Sequence, residues 1–393
     1  MTKTDISARF AGRAVEIGQA AWNACANLGG GNPHPFTRHE FFVALEESGS
    51  ADVKTGWRPL HLVIERGGRI EGILPLYLKG HSQGEYVFDH AWADALERAG
   101  GAYYPKLQAG IPFTPVTGRR LLVAAEADEA ATRTALLAAG AAAVEQLSVS
   151  SLHITFPTED EWLAAGELGY LLRADRQFHW ENRGYTSFDE FLGELSSSRR
   201  KNLRKERASI REAGIEFDWL TGRDITEAHW DAFFEFYMDT GGRKWGDPYL
   251  TREFFSRIGQ SMPEQILLIM ARLGGRTIAG ALNLFGEGVL FGRNWGCIEY
   301  VPFLHFETCY YQAIDFAIAR GLGKVEAGAQ GEHKLLRGYQ PVPTYSAHFI
   351  AHAGLRQAVA HYLKAERDAI ADNIEELAEH GPFRKAPEKP EGE

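Results

Sequence analysis

Short runs of aliphatic and β-branched residues around glycine turns set the rhythm of this chain. His61-Leu62-Val63-Ile64-Glu65 and Ile70-Glu71-Gly72-Ile73-Leu74-Pro75-Leu76-Tyr77 flank a tight Arg66-Gly67-Gly68-Arg69 turn, which predicts a β-hairpin. The pattern returns as Ile266 to Arg272, a Gly274-Gly275-Arg276 turn, and Ile278 to Leu284. A short strand is expected after each hairpin, Phe88 to Trp92 in the first half and Phe291 to Trp295 in the second. In the first half an amphipathic helix is predicted over Ile6 to Leu28, then a loop, Gly29-Gly30-Gly31-Asn32-Pro33. A second helix follows, which Thr37 and Glu40 would open as a capping box. Two helices, a hairpin and a strand recurring in one order read as a duplicated α/β unit; chance similarity of two Gly-Gly-Arg hairpins is the alternative.

Between the copies the spacing predicts an Ala-rich helix (Asp128 to Gln146), a strand (Leu152 to Phe156) and a helix (Glu159 to Leu168). The boundary then falls between 170 and 190, giving domains over 1–175 and 176–380. Ser187 and Glu190 read as a second capping box. Pro302 is expected at the first position of a helix carrying Phe306, Glu307, Tyr310, Tyr311, Ile314 and Phe316. A strand from Gly323 to Ala327, a long amphipathic helix over 354–380 and a disordered Pro/Lys/Glu tail over 382–393 complete the expected order.

Composition narrows the functional classes. With 393 residues, 45% of them hydrophobic, the chain has apolar material for two cores of ordinary size. A formal net charge of -10 makes the surface as a whole repel nucleic acid and anionic lipid, so an anionic partner must meet a local basic patch. DNA is therefore not an expected partner. Cys25, Cys297 and Cys309 stand at unrelated spacings that fit neither a disulfide framework nor a zinc site, which implies a reducing compartment. Asp5, Arg9, Arg13 and Glu16 interrupt the start of the chain, and no run approaches the roughly 18 apolar residues of a membrane span. These features predict a soluble, cytoplasmic protein without integral membrane association.

Four features could carry chemistry. Arg200, Arg204, Arg207 and Arg211 follow helical offsets after Ser196, with Lys201 and Lys205 beside them, while Leu203 and Ile210 mark an apolar face. Like charges on one helix face repel, which favours a phosphate-binding face for a nucleotide-linked substrate or an RNA strand; the alternative is a solvated face balanced by Glu206 and Glu212. The segment from Gly328 to Pro341 places Gln330, Gly331, His333, Lys334, Arg337 and Tyr339 behind a strand, where flexible backbone and two cations suit an anionic or oxyanionic ligand. A glycine-punctuated surface loop is the plainer reading. Glu307, set among aromatic residues, reads either as a base of raised pKa or as a satisfied structural carboxylate. His81, Glu85, Asp89, His90 and Asp94 crowd a region near Tyr104 and Lys106. Their spacing does not fit metal ligation, so no metal is expected, and substrate hydrogen bonding at a strand mouth is preferred. The chain lacks Gly-x-Ser-x-Gly, Gly-x-x-x-x-Gly-Lys-Ser/Thr and Gly-x-Gly-x-x-Gly motifs, which removes support from hydrolase, P-loop and dinucleotide-binding readings.

The duplicated unit, the basic helix opening the second half, and Gly328-x-Gln330-Gly331-x-His333-Lys334-x-x-Arg337-Gly338-Tyr339-x-Pro341 together resemble the FemAB-like N-acyltransferases. The block from His81 to Asp94 is also characteristic of them, and the resemblance covers nearly the whole chain. It implies an α/β (α+β) fold of two tandem GNAT-like domains, each a mixed twisted sheet flanked by helices, with a long C-terminal helix. The first domain would bind the acceptor and the second would carry catalysis. The implied reaction is attack of a primary amine, from a cell-envelope or peptide acceptor, on an activated acyl group. By the same resemblance a splayed pair of strands, Val289 to Trp295 and Lys324 to Gly328, admits the donor. Lys334 would stabilise the oxyanion, Arg337 would contact phosphate, and Tyr339 would shape the pocket or donate a proton. Glu307, His333 and Asp89 are the conceivable bases. Arg293, Asn294, Trp295, Gln330 and Gly331 would line the substrate site, as would Asp89, His90, Trp92, Tyr104 and Lys106.

No bound cofactor is expected. For the donor, Arg293-Asn294-Trp295-Gly296-Cys297-Ile298 begins like the pyrophosphate loop of acyl-CoA-using GNAT enzymes, but Ile298 stands where a small residue belongs. Aminoacyl-tRNA is thus preferred to acyl-CoA. A catalytically silent module that recognises peptidoglycan precursors is the reading from another class.

Overall fold

The computed structural model describes residues 6–26, 33–244, 248–328 and 331–384. The chain divides into two units, one of Met1–Asp175 with Pro248–Gln265 and Pro343–Ala371, the other of Arg176–Asp247 with Ile266–Val342 and Asp372–Glu393.

In the first unit, Pro75 determines how the first hairpin is used. Strands His61–Arg66 and Arg69–Leu74 pair through the glycine turn and lie in a four-stranded sheet with Ile6–Ala11 and Leu122–Val123. Proline has no amide to continue that ladder, and the chain resumes after it as Leu76–Lys79, in a second sheet with Trp57–Pro59, Lys106–Ala109 and Ser151–Thr155. The helix expected over Ile6 to Leu28 is corrected here. Ile6–Ala11 is a strand paired antiparallel with His61–Arg66, and only Ala14–Ile17 and Gln19–Cys25 are helical, parted at Gly18. The capping box also differs. Helix His39–Glu47 has no side-chain cap; Thr37 donates instead to the His34 carbonyl, and Glu40 accepts from Gln19 and Asn23. Phe88 to Trp92 is not a strand, since His90–Arg98 is a helix that presses Trp92 and Leu96 against Leu355, Val359 and Leu363. The Ala-rich helix, Glu129–Gln146, is capped by Asp128, and packs Leu136, Leu137 and Val144 onto the strands.

In the second unit, strands run in the order Ile215–Thr221, Ile266–Leu273, Arg276–Gly286, Val289–Cys297, Lys324–Glu326, the last flanked by residues 179–181 of the strand Leu171–Glu181. Leu267, Ile269, Ala281, Leu290 and Val325 form one apolar face, covered by Tyr311, Ile314 and Phe316 of the helix that follows and by Phe191 and Leu203. Ser187 caps Phe188–Glu194 through the Glu190 amide as predicted, while the Glu190 carboxylate reaches back to Thr186 rather than to Ser187. Pro302 precedes the next helix without entering it: Leu304–Phe306 begins after Phe303, whose φ is 68°. The expected tail is ordered at its start, where Ser196 donates to the Pro382 carbonyl and Phe383 pairs with Leu195; residues 385–393 lie outside the described ones.

Helix Glu227–Lys244 lies so close to Val289–Cys297 that a Cβ on Gly296 would stand 2.1 Å from the Phe236 carbonyl oxygen and 2.5 Å from the Tyr237 nitrogen. Because those atoms are backbone, the helix itself must move. Gly296→Ala is expected to lower stability by about 3 kcal/mol, read as a shift of the denaturation midpoint. An unchanged midpoint would mean the helix is loosely held.

Candidate active site

A break in strand pairing creates the site. Val289–Cys297 runs parallel to Lys324–Glu326 for only three residue pairs, ending at Phe291 opposite Glu326. On its other edge the register slips at the same point. Asn283 faces Gly292 and Leu282 faces Asn294, leaving Arg293 as the extra residue of a β-bulge, a device that bends and twists a strand. Past Phe291 the two parallel strands part, and a cleft of about 90 Å³ opens between them. Gly292, Arg293, Asn294, Trp295 and Ala327 line it from the two parting strands, Asn283 from the neighbouring strand, and His305, Cys309 and Tyr310 from the helix that follows.

That helix is interrupted by a π turn, Glu307–Tyr311, between Leu304–Phe306 and Gln312–Ala319. Such single wide turns are enriched at functional sites because they re-aim side chains. Tyr310 shares a 2.8 Å hydrogen bond between its hydroxyl and His333 Nε2. His333 and Lys334 belong to a 3₁₀ segment, Glu332–Arg337, that starts after Gly331 at φ 111°. A Cβ on Gly331 would fall 2.3 Å from the His333 ring, so that position needs glycine both for its dihedral and for space. Lys334 is buried, and its Nζ donates to the Gly328 carbonyl at 2.7 Å, one residue beyond the cleft-lining Ala327. Burial lowers the Lys334 pKa from 10.5 to about 8, with Cys309 acting in the opposite direction. Tyr339 is also buried; its ring meets Tyr310 edge-on at 5.6 Å, and its hydroxyl has no hydrogen-bond partner.

Two other predicted residues face inward. Arg337 lies 3.5 Å from the Phe306 ring centroid, pairs with Glu206 at 2.9 Å, and donates to Tyr311 and to the His333 carbonyl. It thus braces the 333–337 segment from behind. Glu307 is held by Arg207 at 2.9 Å and Gln312 at 2.8 Å; burial raises its carboxyl and the Arg207 charge lowers it. Like His333, Lys334, Arg337 and Tyr339, it stands behind the residues that line the cleft and is not one of them. Gln330 lies outside the described residues. Sequence reasoning passed over His305, Cys309 and Asn283, all of which line the cleft. The available signal was the spacing of His305, Cys309 and Tyr310, which puts them on neighbouring turns of one helix.

The FemAB-like family, described as peptidoglycan biosynthesis/recognition, matches residues 13–385. The chain belongs to the FemAB-like family. Among solved structures it is similar to FemX at 12% identity, covering 87% of this chain and 98% of that one with a TM-score of 0.53. It is also similar to L-PGS from Bacillus licheniformis at 11% identity, 85% and 98% coverage and a TM-score of 0.51. No protein with a curated description matches. The mixed α/β architecture, with twisted sheets flanked by helices and a long C-terminal helix, is the expected one. No helix among the described residues is long and apolar enough to cross a membrane.

In this FemAB-like chain the first-half candidates sit elsewhere, within the first unit. Lys106 is fully buried between Glu85, at 2.7 Å, and Asp89, and also donates to Ser82, which is 2.8 Å from the Tyr104 hydroxyl. Burial pushes the Asp89 carboxyl up, but the Lys106 charge together with hydrogen bonds from Lys106 and Ser82 holds it well below the usual range. Tyr103 donates to Asp89 at 2.7 Å and lies 3.2 Å from His153, whose Nδ1 is 2.7 Å from Nδ1 of His348. Burial lowers both imidazoles, His153 to about 3, so both are neutral near pH 7. Trp92 packs on His348, and His90 is exposed at the start of its helix.

The basic helix, Ser197–Glu212, divides its charges. Arg207 turns inward to Glu307 and Asp315 and lies over the Phe188 ring, whereas Lys201, Arg204, Lys205 and Arg211 are exposed and Arg200 is half-buried. Arg204 meets Asp189 at 3.3 Å with both side chains in solvent, an attachment worth little.

Proposed function

We propose that this protein is an N-acyltransferase that moves an acyl group, carried as an aminoacyl ester on tRNA, onto a primary amine of a cell-envelope or peptide acceptor. The observation that carries this reading is the parting of Val289–Cys297 from Lys324–Glu326, with the buried ammonium of Lys334 fixed on the Gly328 carbonyl one residue past the cleft-lining Ala327. An ester carbonyl seated in that cleft is attacked at carbon by the acceptor nitrogen, and negative charge collects on the carbonyl oxygen. Collapse forms the amide and expels the carrier hydroxyl, which takes up the proton that the nitrogen loses. A cation already fixed by the protein stabilises the oxyanion more than water does, because it needs no reorganisation. Lys334 has that role. Histidine is the side chain suited to exchanging a proton near neutrality, and His333, joined to the cleft through Tyr310, accepts the proton from the acceptor ammonium.

Two observations support tRNA over CoA. The Ile298 amide donates to the Ile278 carbonyl at 3.0 Å and the Cys297 amide to the Thr240 hydroxyl at 3.1 Å, so these amides are not available to cradle a pyrophosphate. The exposed cations of Ser197–Glu212 suit an RNA backbone. Incubating the protein with charged tRNA and amine acceptors should produce an acceptor heavier by one aminoacyl residue, detected by mass spectrometry. Arg204→Ala should weaken tRNA binding and reduce the slope of log K against log salt by about 1. An unaltered slope would remove this helix from the RNA contact.

A further inference from the structure

A second and larger cavity adjoins the cleft. It measures about 530 Å³ and shares two lining residues with the cleft, Trp295 and His305. Its remaining surface is mostly carbon, from Val301, Pro302, Phe303, Leu304 and Phe306. Glu299 is the only carboxylate among its described lining residues, and it is already paired with Arg276. The Thr240 hydroxyl accepts from the Cys297 amide. A charged substituent entering this space would lose its hydration without gaining an opposite charge, whereas an apolar one would gain from leaving water. The volume lies within the range of cavities that hold whole small ligands, and a hydrogen or a single methyl group would leave most of it unfilled.

We infer that this cavity receives the side chain of the transferred acyl group, and that the group is bulky and apolar, either aliphatic or aromatic. The inference rests on the acyltransferase reading, since it is the carbonyl seated in the adjoining cleft that directs its own substituent past Trp295 and His305. Recognition follows chain length: each added methylene that reaches the cavity tightens binding about fourfold until the space is full.

The test uses amides that mimic the product and assume no particular carrier. N-acetyl-, N-butyryl-, N-hexanoyl- and N-octanoylglycinamide are titrated calorimetrically into the full chain. Affinity should climb along the series, flatten in Val301→Trp, which fills the cavity, and extend to longer chains in Val301→Ala, which enlarges it; thermal melts confirm that both variants fold. Affinity independent of chain length, or a climb that Val301→Trp leaves intact, overturns the inference. Transfer assays with charged tRNA separate the two ideas. Efficient transfer of glycyl groups with a flat binding series leaves the acyltransferase reading standing and removes the apolar side chain. A steep series that responds to Val301 upholds the cavity's specificity, and if no acyl group of any kind is transferred, the catalytic reading alone fails.

Discussion

Lys334→Met is expected to reduce acyl transfer by about 100- to 1,000-fold, the loss typical when one preorganised donor to an oxyanion is removed. Methionine is close to lysine in length and shape, and Lys334 is buried with one hydrogen bond, to the Gly328 carbonyl. The fold should therefore persist, which a thermal melt checks. The pH dependence gives an independent signature. Burial lowers this ammonium from 10.5 to about 8, so the charged form is lost as pH rises through 8, and kcat/KM should fall on that limb. The limb should vanish in Lys334→Met. Stability moves the other way: between pH 8 and 10.5 the unfolded chain holds more protons than the folded one, so this residue adds stability as pH rises across that window. Wild-type transfer that is retained in the variant would exclude Lys334 from the reaction.

Lys106→Met should cost about 3–5 kcal/mol of stability, because it strands buried carboxylates without their cation. Asp89 and Glu85 both lie against the Lys106 ammonium, and the other cation near Glu85, Lys79, is 3.9 Å away. Loss of the Asp89 contact also unseats the Tyr103 hydroxyl and, through it, the buried His153 and His348 pair. Chemical denaturation measures the effect. Adding Asp89→Asn and Glu85→Gln to Lys106→Met should recover part of the loss by removing the stranded charges. A single variant as stable as the parent would show that water reaches this cluster.

The expectation for this first-half region illustrates where sequence reading stops. Asp89, Tyr104 and Lys106 look like ligand contacts because polar residues crowd one short region of the chain, yet the fold places Asp89 and Lys106 together in the interior. The same happens to Arg207 and Arg337, whose carboxylate partners Glu307 and Glu206 lie 100 and 131 positions away. No local pattern reports such partners. The strand at Ile6–Ala11 was hidden for the same reason, since what makes it a strand is its pairing with His61–Arg66.

Both glycine-turn hairpins, the capped helix Glu129–Gln146, the strand Lys324–Glu326 and the 27-residue helix Ala353–Glu379 were legible from the chain alone. Each depends on residues within a few positions of one another, where dihedral preference and hydrophobic period act directly. Family membership was legible too, through the repeated hairpin unit, the basic helix and the blocks from His81 to Asp94 and from Gly328 to Pro341 taken together. The point where Val289–Cys297 leaves its parallel neighbour, the π turn that aims Cys309 and Tyr310 at the gap, and the choice of which cations are desolvated were decided only by tertiary structure. Those outcomes depend on which distant segments pack together, because burial and charge pairing belong to the assembled interior rather than to any stretch of chain.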